Sequence, residues 1–312
     1  MWGVALLVAV VVVVALSRRG GGARIVASAE EIPIALKLPI STMQVGPYRL
    51  IDLLSESQSA MIYSAQSGDG TLCTVKLPSR ACLEDATEVK RFEREAEMLD
   101  KVAHANVIRK LDAGTLKDGD RQVPYLVLEH LGGRDLGAVL SERAPFPPHE
   151  ALALLKQIAN ALDAVHSQGI VHRNMTPDAI RLYEDGRVVL HNFGVARSNM
   201  VETITVHGQI VGTIEYIAPE QMRGEKVDAR ADLYALGVLA YRMLTGKSPF
   251  KYANVASLIR QKTEQAGAHP RAVNEAVPED LDRIVSQLMA ADPAQRPAAA
   301  SVIASELAGV KS

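Results

Sequence analysis

A chain of 312 residues that is 48% hydrophobic and 22% charged has enough apolar surface to build one large globular domain or two smaller lobes, and too much to stay disordered. Its 34 basic and 36 acidic side chains leave a formal charge of −2 and no clustered Lys and Arg, so nucleic acid is not an expected partner. Two cysteines, Cys73 and Cys82, are too few for a disulfide framework and lack the histidine pairing of a zinc site; they read as ordinary thiols.

The first element is apolar. Trp2 to Leu16, WGVALLVAVVVVVAL, carries no charge and is followed by Arg18, Arg19 and Arg24. It is shorter than the roughly 20 residues that usually cross a bilayer, but its neighbours extend it and arginines can snorkel. Residues 1–19 are therefore expected to form a transmembrane anchor. A cleaved signal peptide ending at Ala27-Ser28-Ala29 is the competing reading; it requires positive charge before the apolar core, and here the arginines follow it. By the positive-inside rule they hold the rest of the chain in the cytoplasm. Residues 20–47, Gly-rich and then interrupted by Pro33 and Pro39, read as a juxtamembrane linker.

From Tyr48 to about residue 131, the β-branched runs YRLIDLL, MIYSAQ, LCTVKL and PYLVLEHL alternate with turns and enclose a charged helical stretch at about 84–102. This predicts a small mixed sheet with one main helix. Beyond it the apolar spacing becomes helical: HEALALLKQIANALDAVHSQG stops at Gly169, DARADLYALGVLAYRMLTG stops at Gly246, and EDLDRIVSQLMAAD stops before Pro293. The expected fold class is α+β, with a β-rich N-terminal lobe at about 48–131 and a helical C-terminal lobe at about 132–312.

Ordered short motifs run through both halves: CTVK at 73–76, FEREAEMLDKVAHANVIRKLDAG at 92–114, HRNMTPDAI at 172–180, HNFG at 191–194, YIAPEQ at 216–221, ADLYALGVLAYRMLTGKSPF at 231–250 and DPAQRP at 292–297. From Tyr48 onward this order resembles the eukaryotic-like serine/threonine protein kinases of bacteria, and implies their bilobal fold. The resemblance implies that Lys76 and Glu95 form the ion pair that orients ATP phosphates. On residue types alone, a solvated lysine and a glutamate on a charged helix would be the plainer reading. It further implies that Glu220 and Arg296 tie the activation segment to the lower lobe, and that Asp232 accepts hydrogen bonds from the loop near His172. His172, Phe193 and Leu99 resemble members of the apolar column that joins the lobes.

The reacting positions depart from the family pattern. Asn174 stands where the family has its catalytic aspartate, and Thr176 where it has a phosphate-steadying lysine. Ala179 and Asn192 replace the two metal-binding residues, and a methyl group and a neutral amide are poor ligands for Mg²⁺. Ser55, Ser57 and Ala60 occupy the glycine positions of the phosphate-binding hairpin, where side chains obstruct close backbone approach. Arg181 replaces the apolar residue beneath the adenine ring and Thr74 the alanine above it, so both are expected to obstruct the nucleotide pocket.

Any one such change is compatible with drift in a working site; together they lead to the expectation of a membrane-anchored pseudokinase with no catalytic activity, acting as a scaffold or allosteric regulator. Its expected partner is an active kinase or a cell-envelope protein. No cofactor is expected, or ATP without normal Mg²⁺ coordination. The alternative is an ATP-binding kinase-like transferase with residual or non-standard activity. Thr203, Thr205 and Thr213 are expected phosphorylation sites whose phosphate Arg173 could pair; the first two also read simply as β-branched loop residues.

Overall fold

The structure is a computed structural model and describes residues 43–194, 214–264 and 269–311. The expected anchor, most of the expected linker, and Thr203, Thr205 and Thr213 lie outside the described residues. Among the described residues no helix is long and apolar enough to cross a membrane.

Strands β1 (Gln44–Val45), β2 (Tyr48–Glu56), β3 (Ala60–Gln66), β4 (Leu72–Pro78), β5 (Lys110–Asp118) and β6 (Arg121–Glu129) form one sheet in the order β1-β2-β3-β4-β6-β5. All its neighbours are antiparallel. Leu50, Tyr63, Ala65, Cys73, Val75 and Val127 come together in one apolar cluster of the sheet. Both cysteines are buried and free, and burial pushes both thiols above their usual range.

Between β4 and β5 lie α1 (Arg80–Glu84) and α2 (Ala86–Leu99). Asp85 separates them by capping α2: its carboxylate accepts from the Thr87 amide at 2.7 Å. Phe92, Glu95 and Leu99, spaced three and four apart, form the buried stripe of α2.

The second lobe contains α3 (Leu136–Arg143), α4 (Pro148–His166), α5 (Pro219–Met222), α6 (Arg230–Thr245), α7 (Val255–Glu264), α8 (Glu279–Leu288) and α9 (Ala300–Gly309). A small antiparallel sheet, β7 (Arg134–Asp135), β8 (Ile180–Leu182) and β9 (Val188–Leu190), is set among them. Helix α6 is buried on nearly every side and stops at Gly246, whose φ of 67° is the left-handed conformation that ends helices. At Gly237 a Cβ would come within 2.7 Å of the Leu288 Cβ, so glycine permits the close approach of α6 and α8.

The two lobes share one apolar core: Phe92 and Leu99 of α2 and Leu126 and Leu128 of β6 cluster with the helices of the second lobe. Backbone bonds from Ile108 N to Leu190 O at 2.9 Å and from Leu190 N to Asn106 O at 2.8 Å stitch the chain after α2 to β9. That seam places β4, α2 and the residues after β9 side by side.

Candidate active site

At the seam, Lys76 Nζ of β4 donates to Glu95 Oε2 of α2 at 2.6 Å, and both residues are buried. The Phe92 ring centroid is 5.9 Å from the same nitrogen. Gly194 lies against this pair: a Cβ there would sit 2.5 Å from Glu95 Oε2 and 2.9 Å from Lys76 Nζ. Only glycine leaves room for the pair to close.

Below it runs the loop 172–180. Asp232, in the first turn of α6, accepts from the amides of His172 at 2.8 Å and Arg173 at 2.7 Å, and its carboxylate lies 2.8 Å from His166 Nε2. These bonds hold Arg173 at φ 63°, a conformation that costs energy for a non-glycine residue. The His172 ring packs edge-on against Phe193, with centroids 4.8 Å apart. Its Nε2 lies 3.0 Å from His191 O and its Nδ1 accepts from Asn174 N at 3.3 Å. That pattern fits a neutral ring protonated on Nε2, and burial indeed lowers the His172 pKa.

Asn192 is exposed and takes φ 69°, which asparagine tolerates better than most residues. Asn174 is half-buried, while Thr176 and Ala179 are buried. Leu99 and Phe193 belong to the same buried apolar cluster. Glu220 of α5 and Arg296 form a buried two-point ion pair at 2.7 and 2.8 Å. Gln221 Nε2 donates to Arg173 O at 3.1 Å, joining α5 to the loop.

The β2–β3 hairpin closes on itself. At its tip Ser57 N donates to Ala60 O at 2.8 Å, and Ala60 N to Ser57 Oγ at 3.0 Å. Ser79 holds the tip from outside, its amide donating to Ser59 O at 3.1 Å and its hydroxyl to Gln58 O. Two amides of the turn are thereby engaged without a glycine. A divalent cation needs hard, anionic oxygens. Asn192 offers an amide and Ala179 a methyl group, and among the described residues no group of three or more His, Cys, Asp or Glu is placed to hold a metal. This donor set does not fit Mg²⁺.

Arg181 pairs with Asp135 across the small sheet, Nη1 to Oδ1 3.3 Å, and Thr74 is buried on β4. Two residues of the region were not singled out in the sequence. The His191 pKa is pushed down to about 3, first by burial and then by the positive charges of Arg181 and Lys76. Lys262 of α7 is buried and donates to the carbonyls of Ile214 at 3.1 Å, Glu215 at 2.6 Å and Ile217 at 2.5 Å. Burial draws its pKa well down, whereas three carbonyls and the rings of Tyr234 and Phe250 at 5.0 and 5.2 Å favour the ammonium. Its signal in the sequence was a lysine four residues after Leu258, on the apolar stripe of α7.

The chain matches the protein kinase domain family over residues 48–307. It is similar to a probable serine/threonine-protein kinase of Clostridium perfringens, 29% identical over 265 residues that make up 85% of this chain and 38% of the relative. Serine/threonine-protein kinase PknL of Mycobacterium tuberculosis is 35% identical over 226 residues, 72% of this chain and 56% of the relative. The probable serine/threonine-protein kinase PknB of Corynebacterium glutamicum is 34% identical over 224 residues, 70% of this chain and 35% of the relative. The chain thus spans between about a third and somewhat over half the length of these curated relatives.

These matches overturn the expectation of a non-enzymatic scaffold or allosteric regulator. Relatives aligned over most of the chain are named as kinases. The changes at Asn174, Thr176, Ala179 and Asn192 do not establish inactivity, because the closed Lys76–Glu95 pair and the anchored loop leave the site assembled around them. The expectation of no cofactor is likewise set aside at the level of the family, whose chemistry typically uses ATP and Mg²⁺. A β-sheet lobe, a helical lobe and a match across 48–307 lead to one conclusion: the chain belongs to the protein kinase domain family.

Proposed function

We propose that the chain is an ATP-dependent serine/threonine protein kinase with a non-standard catalytic apparatus. The carrying observation is the buried Lys76–Glu95 pair at 2.6 Å, closed against Gly194. In this reading Glu95 holds the Lys76 ammonium where the phosphates of ATP arrive. The Asn174 amide oxygen orients the acceptor hydroxyl without taking its proton, a loss of general-base help worth about 10² to 10⁴ in rate. The names of the similar proteins support a serine or threonine acceptor on a protein substrate.

The kinase-like domain occupies residues 48–312, anchored through residues 1–19 and a linker at 20–47, with the domain on the cytoplasmic side. Phosphate on Thr203, Thr205 or Thr213 would be met by Arg173, which Asp232 already holds in place. The test is transfer of labelled γ-phosphate from ATP to the full chain and to a Ser/Thr-rich protein, with Mg²⁺ or Mn²⁺. Slow incorporation that disappears in Lys76→Met is expected; incorporation no higher than in Lys76→Met under every condition would refute the reading.

A further inference from the structure

We infer that the cleft takes its nucleoside polyphosphate without a divalent cation, the ligand's charge being met directly by Lys76 and Arg181 with His191 as a further hydrogen-bond donor. This rests on the nucleotide-binding part of the proposed function, and it replaces the expectation that Arg181 obstructs the pocket beneath the adenine ring with a role in meeting the phosphate charge.

The argument starts with the β8–β9 hairpin. Arg181 pairs in register with Val189, and His191 N donates to Ala179 O at 2.9 Å just beyond the last pair. A strand alternates its side chains, so Arg181, Val189 and His191 share one face, while Ile180, Leu182, Val188 and Leu190 share the other. Three residues beyond His191, Gly194 lies against the Lys76–Glu95 pair, so this face of the hairpin leads to Lys76 at the junction of the lobes.

Arg181 Nε and His191 Nε2 are buried and have no hydrogen-bond partner among the described residues. Buried donors without partners are few in native proteins, and each asks for an explanation such as a ligand. The nearby carboxylates are already engaged, Glu95 with Lys76 and Asp135 with Nη1 of Arg181. A neutral histidine can present an N–H at Nε2, and a guanidinium is a planar fork suited to phosphate oxygens. A dication entering here would meet positive neighbours, the Asn192 amide and the Ala179 methyl group. A polyphosphate would meet unspent donors and positive charge.

The experiment is calorimetric titration of the full chain in detergent with ATP, in EDTA and in Mg²⁺. We expect affinities within about threefold of each other in the two conditions, and Arg181→Leu weakening ATP binding in EDTA by about tenfold or more at an unchanged unfolding temperature. Where Arg181→Leu fails to fold, His191→Phe decides in its place, with weakening in EDTA again expected. Asn192→Asp restores an anionic ligand and should make binding tighter in Mg²⁺ than in EDTA. Binding seen only with Mg²⁺ overturns the inference and leaves nucleotide binding standing. Metal-independent binding unaffected by the folded variants overturns it as well. No binding in either condition overturns both the inference and the nucleotide-binding reading.

Discussion

Arg296 is buried with its charge met by both oxygens of Glu220 and by the carbonyls of Ala290, Ala291 and Arg230. Removing one partner leaves a buried charge uncompensated, so Glu220→Ala is predicted to cost about 3–5 kcal/mol in urea denaturation. His191 gives a pH dependence. Its pKa in the folded chain is about 3 against an ordinary value of 6.5, so the unfolded chain binds its proton first as pH falls. Its contribution to stability is complete above about pH 6.5 and is lost as pH falls toward 3. Between pH 7 and 4 the loss should be on the order of 3 kcal/mol, measured as a falling denaturation midpoint that His191→Asn flattens. The partners Lys76–Glu95 and Glu220–Arg296 could be named from the sequence because their motifs stand in order. Lys262 and His191 could not, because what sets them apart is burial and neighbours brought in from distant segments.

Helix ends were legible where glycine or proline marks them. Helix α6 stops at Gly246, and α4 ends at His166 just before Gly169. The helix expected at about 84–102 is α2 at Ala86–Leu99, and a short helix α1 that was not expected precedes it, ending where the Asp85 side chain caps α2. Strands β7, β8 and β9 went unseen, since two or three residues are too short to display an alternation. Gly237 looks like a helix-weakening residue in the sequence, but its lack of a side chain is what lets α6 meet Leu288 and Met289. Gly237→Ala should therefore destabilise the protein by about 1–3 kcal/mol despite alanine's better helix propensity, as read by thermal unfolding.

For the whole molecule, the order of motifs revealed the two-lobed fold, while the inventory of substituted side chains misled on activity. Asn174, Thr176, Ala179 and Asn192 describe what single positions can no longer supply. They do not describe the shape of the site, which depends on Lys76, Glu95 and Gly194 meeting and on Asp232 anchoring the loop at His172 and Arg173. Tertiary assembly of that kind is not visible in residue identities. The central claim is that this assembled site transfers phosphate slowly because it lacks two carboxylates. The most direct measurement compares the initial rate of γ-phosphate transfer in the unmodified chain and in the Asn174→Asp, Asn192→Asp double variant with Mg²⁺. A measurable rate that rises by about 10² to 10⁴ in the variant is predicted; no transfer from the unmodified chain, or no rise in the variant, would contradict it.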